Sequence, residues 1–215
     1  MRRSPLSLSA AVAVAVVLTG GCDGLPHLPG GSDGPGSGHA RSAEATLQLA
    51  DGTTIGDVDF DRHHGMTEVE VRLDVPTDRT ALRAFHGFHV HANDDPANGE
   101  GCVADPAQPS STWFVSADGH LKSGTEVHGA HDGDMPPLLL DGDGRASATF
   151  ATDRLALDQL DGRVVILHAG PDNLGNVPTG PGADQYTANS QAAVDKTHNT
   201  GNAGDRVACG VIHTR

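Results

Sequence analysis

The chain has 215 residues, enough for one ordinary domain with extensions, and sets 14 Lys and Arg against 28 Asp and Glu for a formal charge of −14. That balance excludes nucleic acid and an anionic membrane surface as electrostatic partners, and an anionic substrate would have to be drawn in by local rather than overall charge. With one Trp, one Tyr and five Phe, any core must be built mainly from Val, Leu, Ile and Ala.

The chain opens on an export signal rather than on fold. "MRR" supplies positive charge, and residues 6–18 form an apolar run too short to span a bilayer comfortably. The run ends in "LTGGC", with small residues before Cys22 as in a bacterial lipoprotein cleavage box, although Thr19 stands where an aliphatic residue is usual. A plain signal peptide that happens to contain a cysteine is the alternative. The predicted division is a signal peptide over 1–21, a lipidated Cys22 with a Gly/Pro/Ser tether over 22–42, and a folded domain over 43–215. The mature protein is then extracytoplasmic and anchored to the cell membrane through lipid on Cys22. If Cys22 carries lipid, Cys102 and Cys209 remain as a pair in an oxidising compartment.

From Ala43 onward the text alternates. "EATLQLADGTTIGDVDF" reads as a hairpin turning at "ADGT", and "TEVEVRLDV", residues 67–75, alternates along its whole length. "FHGFHVHA", "GRASATFA", "GRVVILHAG" and "RVACGVI" supply further strands. No segment carries a helical stripe apart from the short "RLALDQL", residues 154–160. Short strands between turn signals predict an all-β sandwich or barrel. Two long irregular segments, 93–143 and 169–205, interrupt it, and segments of that length in a compact domain are usually functional.

Those segments and the strands beside them hold the chemistry. In an extended "FHVH", His89 and His91 point to one face, which spends two inward or edge positions on imidazole. His168 ends the strand "VVILH", where its ring would face the loops. "VHGAHDGD" spaces His128, His131 and Asp134 three apart in a Gly-rich loop, a nitrogen and carboxylate set suited to zinc. The all-imidazole set of His89, His91 and His168 suits copper, and His120 in "SADGH" could join either. His27, His39, His63, His64, His198 and His213 have no supporting context.

Taken in order, "HGFHVH", "SADGH", "HDGD", "LHAGPDNLGN" and "TGNAGDRVACGVI" resemble the copper/zinc superoxide dismutases of the exported bacterial kind, over residues 43–212. The resemblance implies an eight-stranded Greek-key β-barrel with two long functional loops. It implies copper on His89, His91, His120 and His168, and zinc on His120, His128, His131 and Asp134, with His120 bridging the two and serving catalysis. It further implies that Asp172 links a copper histidine to a zinc histidine, that Cys102 and Cys209 form the intrasubunit disulfide, and that Arg206 guides the superoxide anion to copper. Copper would cycle between two redox states while His120 relays a proton to the nascent peroxide. Family members are dimers or monomers, so a homodimer is one of two forms open to this chain. Two departures stand out: only Gly129 and Ala130 separate His128 from His131, and residues 178–200 lengthen the second loop. Lys196 in that loop is either a steering charge or a solvated loop lysine.

Three functions compete on this reading: a superoxide dismutase, a metal-buffering lipoprotein that has lost catalysis, and a disulfide-stapled β-domain without metal. Arg206 favours the first over the second, because a buffer needs no anion guide. The four-histidine set weighs against the third.

Overall fold

The computed structural model describes residues 40–179 and 190–215. The signal segment, Cys22, most of the tether and residues 180–189 lie outside the described residues. Among the described residues there are ten strands: β1 (Ser42–Leu49), β2 (Thr54–His63), β3 (Met66–Asp74), β4 (Phe85–His86), β5 (Phe88–His91), β6 (Leu138–Leu139), β7 (Arg145–Thr152), β8 (Val164–His168), β9 (Arg206–Val211) and β10 (His213–Thr214). Eight of them form one curled antiparallel sheet in the order β5-β8-β9-β1-β2-β3-β7, with β10 paired to β1. β4 and β6 pair separately. The segment leading into β6 bonds β5 through Val90 N to Gly133 O (2.8 Å) and Met135 N to Phe88 O (3.3 Å), and β6 touches β7. Both edges of the curled sheet are thereby covered, which blunts the unpaired-edge hazard of an open sheet. This is the all-β architecture that the alternation predicts.

Period-two patterning decides what faces inward. β1 buries Ala43, Ala45, Leu47 and Leu49, and β3 buries Thr67, Val69, Val71 and Leu73, so these strands read in–out along their length. β2 breaks step at Gly56, where the register with β1 shifts; its φ is +144° and a Cβ there would lie 2.0 Å from Arg72 O. Only glycine fits that bulge.

β5 and β8 are buried on both faces. One face joins the main core through Phe88, Val90, Val165 and Leu167. The other face carries Val164 and Ile166, which pack with Phe114, Ala117 and Cys209 into a second, smaller core under the first long loop. His89, His91 and His168 belong by parity to this outer side. Of the inward or edge positions expected for His89 and His91, the structure gives the edge: β5 ends the sheet, and the histidines lie on its outer side, buried because the loops cover them.

The second loop is not irregular throughout. It contains α1 (Gln191–Thr200), whose start is capped by Ser190 Oγ accepting Ala193 N (3.2 Å) and whose end is Gly201 at φ +56°. Only Ala193 and Thr197 are buried on it, so no apolar stripe announces the helix. The helical pattern at 154–160 is reduced to a 3₁₀ turn, Leu157–Gln159.

Candidate metal centre

His89 and His91 come from β5, His168 from the end of the adjacent β8, and His120 from the first long loop, where it bridges to His91. All four are buried, and one ligand atom from each lies within 4.8 Å of the others. Their hydrogen bonds decide where the lone pairs point. His91 Nδ1 faces Asp118 O (2.9 Å) and His168 Nδ1 faces Gly204 O (3.1 Å); a carbonyl only accepts, so these nitrogens carry the protons. Their Nε2 atoms are thus left as bases, 3.3 Å apart. His89 directs Nε2 at the Asp172 carboxylate (3.1 Å), leaving Nδ1 free to ligate.

The second group adjoins the first through His120, whose Nδ1 lies 2.9 Å from Asp134 Oδ1. His131 Nδ1 is 3.3 Å from the same oxygen and 3.4 Å from His120 Nδ1, while its Nε2 donates to Glu126 O at 3.1 Å. His128 turns Nε2 toward Asp172 Oδ1 (3.4 Å) and His89 Nε2 (3.4 Å). Asp172, its side chain 1 % exposed, therefore stands between a histidine of each group. His89, His120, His128 and Asp134 also offer one ligand atom each within 4.8 Å. His128 belongs to that group, whereas His131 lies beside His120 and Asp134 but outside it, and His89 takes the place expected for His131. Gly87 permits the approach of Asp172, since a Cβ there would meet its Oδ1 at 2.6 Å.

Three nitrogens test whether a metal fits. His89 Nδ1, His120 Nε2 and His128 Nδ1 are buried without a hydrogen-bond partner among the described residues. A buried polar atom left unpaired costs about 1–3 kcal/mol. Three such imidazole nitrogens at one place, oriented by bonds at their opposite nitrogens, make sense as ligands of a cation.

Electrostatics agree in direction. Burial, the His120 charge and Arg206 hold His91 well below its ordinary value; burial and the His89 and His120 charges do the same to His168. Burial lowers His120 to about 4 despite its Asp134 bond. Against the upward pull of burial, bonds from His120 and His131 hold Asp134 well below the carboxylate range, and bonds from His128 and His89 do so for Asp172. His128 moves the other way: burial lowers it, and its Asp172 bond and the Asp134 charge more than offset this. Neutral imidazoles and ionised carboxylates are the forms that bind metal.

A pH dependence of the metal-free protein follows. For His91, His120 and His168 the folded value is depressed, so the unfolded chain takes up protons first as pH falls below about 6.5. Their contribution is present above that pH and is lost as pH falls, down to about pH 4 for His120, at about 1.4 kcal/mol per pH unit for each proton taken up only by the unfolded chain. His128 opposes them, its contribution fading as pH rises through its raised value. Asp134 and Asp172 lose theirs only below about pH 3.8. Calorimetry of chelator-stripped protein should show Tm falling between pH 7 and pH 4; a flat or rising Tm would contradict the assignment.

Arg206 opens β9, paired across a bulge with His168. Its guanidinium donates to the carbonyls of Phe114 and Asp118 and is held somewhat below its ordinary pKa by burial. It lines a cavity of about 480 Å³ together with His91, His120, His168 and, from α1, Lys196 and Asn199. The helix that the sequence hides thus forms part of the cavity wall. Cys102 and Cys209 are joined as a disulfide, with Cα atoms 5.6 Å apart.

Sequence reasoning missed several supporting groups. His86 is buried with its two ring nitrogens 2.7 Å from His168 O and Leu82 O, tying the strand before β5 to the end of β8. His198, without context in the sequence, uses its carbonyl to accept His128 N at 2.6 Å. Gly201 packs against the His128 ring, where a Cβ would sit 2.3 Å away.

The sequence model of the family "Copper/zinc superoxide dismutase" matches residues 54–212, well over half of the chain. The chain belongs to the copper/zinc superoxide dismutase family. A Cu-Zn superoxide dismutase of Mycolicibacterium paratuberculosis is 31% identical, covering 94% of this chain and 95% of the relative. Those of Mycobacterium bovis and Mycobacterium tuberculosis are each 32% identical over 87% of this chain and 80% of theirs. Among solved structures, the crystal structure of the clock protein EA4 has a TM-score of 0.58 at 24% identity, covering 84% of this chain and 98% of that one, a likeness of fold. Copper and zinc are the metals this family implies, and the imidazole and carboxylate donors described above fit them.

Proposed function

We propose that this chain dismutates superoxide, two anions and two protons giving one dioxygen and one hydrogen peroxide, at a copper held by His89, His91, His120 and His168. Zinc would be held by His120, His128, His131 and Asp134. The observation that carries the reading is the set of partnerless buried nitrogens at His89, His120 and His128, each aimed by a bond on the opposite side of its ring or shared between the two groups. Bound copper supplies a one-electron couple, and bound zinc fixes and polarises the shared imidazole.

The chain's own residues do the rest. Asp172 orients His89 and His128 together. Asp134 orients His120, whose Nε2 is the atom placed to hold a proton and release it to the reduced substrate. Arg206 supplies fixed positive charge at the cavity, offsetting locally the formal charge of −14. Lys196 on the same wall adds a second charge, which supports a steering role over that of a solvated loop lysine.

Metal content and superoxide consumption of the purified protein test this reading, with Arg206→Ala beside it. The wild type should hold both metals and be active. The variant should keep its copper, lose about tenfold or more in rate, and show a flatter dependence on ionic strength. A copper-loaded wild type without dismutation would leave the metal-buffering function standing.

The export signal and "LTGGC" box support lipid attachment at Cys22 and an extracytoplasmic, membrane-anchored location. Cys22→Ser should then move the protein from the membrane fraction to the soluble one; unchanged fractionation would refute the anchor.

A further inference from the structure

The two carbonyls that hold Arg206 belong to residues with unusual backbone. Phe114 has φ +54° and ψ +22°, and Asp118 has φ +62° and ψ −154°. They flank a short 3₁₀ turn, Val115–Ala117. Positive φ is disfavoured for any residue with a Cβ, and the conformation of Asp118 is one that glycine ordinarily occupies. Phe114 is anchored by its ring, which is buried in the smaller core. Asp118 is only half-buried and has no such anchor.

Its carboxylate supplies the anchor instead. Oδ2 accepts Asp94 N and Asp95 N, each at 2.8 Å, and Oδ1 accepts Asn98 Nδ2 at 2.8 Å. Meanwhile its carbonyl receives both the Arg206 guanidinium and His91 Nδ1, the latter at 2.9 Å. One peptide group thus orients a proposed copper ligand and the proposed anion guide at once. Against the upward pull of burial, the Asn98 amide and the Asp95 and Asp94 amides keep the carboxyl below its ordinary value, consistent with an ionised acceptor.

Resting on the proposed dismutase reading, we infer that Asp118 is a positioning residue whose side chain latches a strained backbone so that its carbonyl seats His91 and Arg206 together. Removing the carboxylate while keeping the Cβ retains the strain and loses the latch, so the carbonyl should turn away from both partners. Glycine loses the latch but also the strain. Asparagine keeps an acceptor for the amides of residues 94 and 95.

The test uses copper-loaded wild type, Asp118→Asn, Asp118→Gly and Asp118→Ala at matched copper content. It reads kcat/KM for superoxide and the Cu(II) paramagnetic resonance spectrum, whose hyperfine splitting reports the seating of His91 without requiring turnover. Asp118→Ala should lose about tenfold in kcat/KM and shift the splitting. Asp118→Gly should recover part of both, and Asp118→Asn most of both. An Asp118→Ala protein with wild-type spectrum and rate overturns the inference. Should that variant fail to fold, Asn98→Ala decides: a loss of about threefold with a shift in the same direction supports the latch, and no change overturns it. Absent activity in the wild type would refute the dismutase reading, while the spectra would still decide the latch.

Discussion

Replacing His89 by alanine is expected to abolish copper retention and to lower superoxide consumption by at least about 100-fold, since even groups that only orient a ligand cost 10–100-fold when lost. His89 is, with His120, one of two residues common to both four-donor groups, and its Nδ1 is one of the buried atoms without a partner. Its loss also leaves Asp172, a buried carboxylate, with His128 as its remaining imidazole. Asp172→Asn is the informative contrast. It keeps every proposed ligand but weakens their orientation, so copper should remain at saturating supply while affinity falls about 10–100-fold. Metal analysis after dialysis against a competing chelator separates the two. Wild-type copper content and activity in the His89 variant would end the metal assignment.

The double substitution Cys102→Ser with Cys209→Ser is expected to destabilise the metal-free protein by about 4–5 kcal/mol, from the chain-entropy model applied to a closed loop of this size. The two residues are 107 apart in sequence, so the unfolded chain loses much of its freedom when they are joined. For a protein of this length that corresponds to a fall in Tm of about 10–20 °C. A local effect should accompany it. Cys209 is buried in the smaller core beside Phe114, and it follows Arg206 on β9, while Cys102 opens the segment that carries Phe114 and Asp118. Severing the bridge loosens the seat of Arg206, so kcat/KM should fall in copper-loaded protein as well. Calorimetry showing a shift of less than about 3 °C would mean that the bridge restrains little that the smaller core does not already restrain.

Much of this protein is legible from residue type and spacing alone. Two-residue alternation marks β1, β3 and β7 almost to the residue, because an antiparallel strand with one buried face must alternate. The His89 and His91 pair, the loop spacing of His128, His131 and Asp134, and the disulfide partners are visible for a similar reason: metal and sulfur chemistry admits few residue types. The weak points were the elements whose stability is not written in a local pattern. α1 buries only two small side chains against the rest of the domain and is held by its caps and by the His198 carbonyl, so its sequence lacks a stripe.

Only the tertiary structure decided which side of the barrel carries the histidines. Alternation says that His89 and His91 share a face, but both faces of β5 are buried, and a period-two pattern cannot distinguish a core face from one covered by loops. Backbone-mediated positioning was likewise invisible. Asp118 and Phe114 act through carbonyl oxygens that every residue possesses, and what singles them out is a pair of dihedral angles and the partners that long-range folding brings within reach. Side-chain identity names the chemistry of this protein; the path of its loops aims that chemistry.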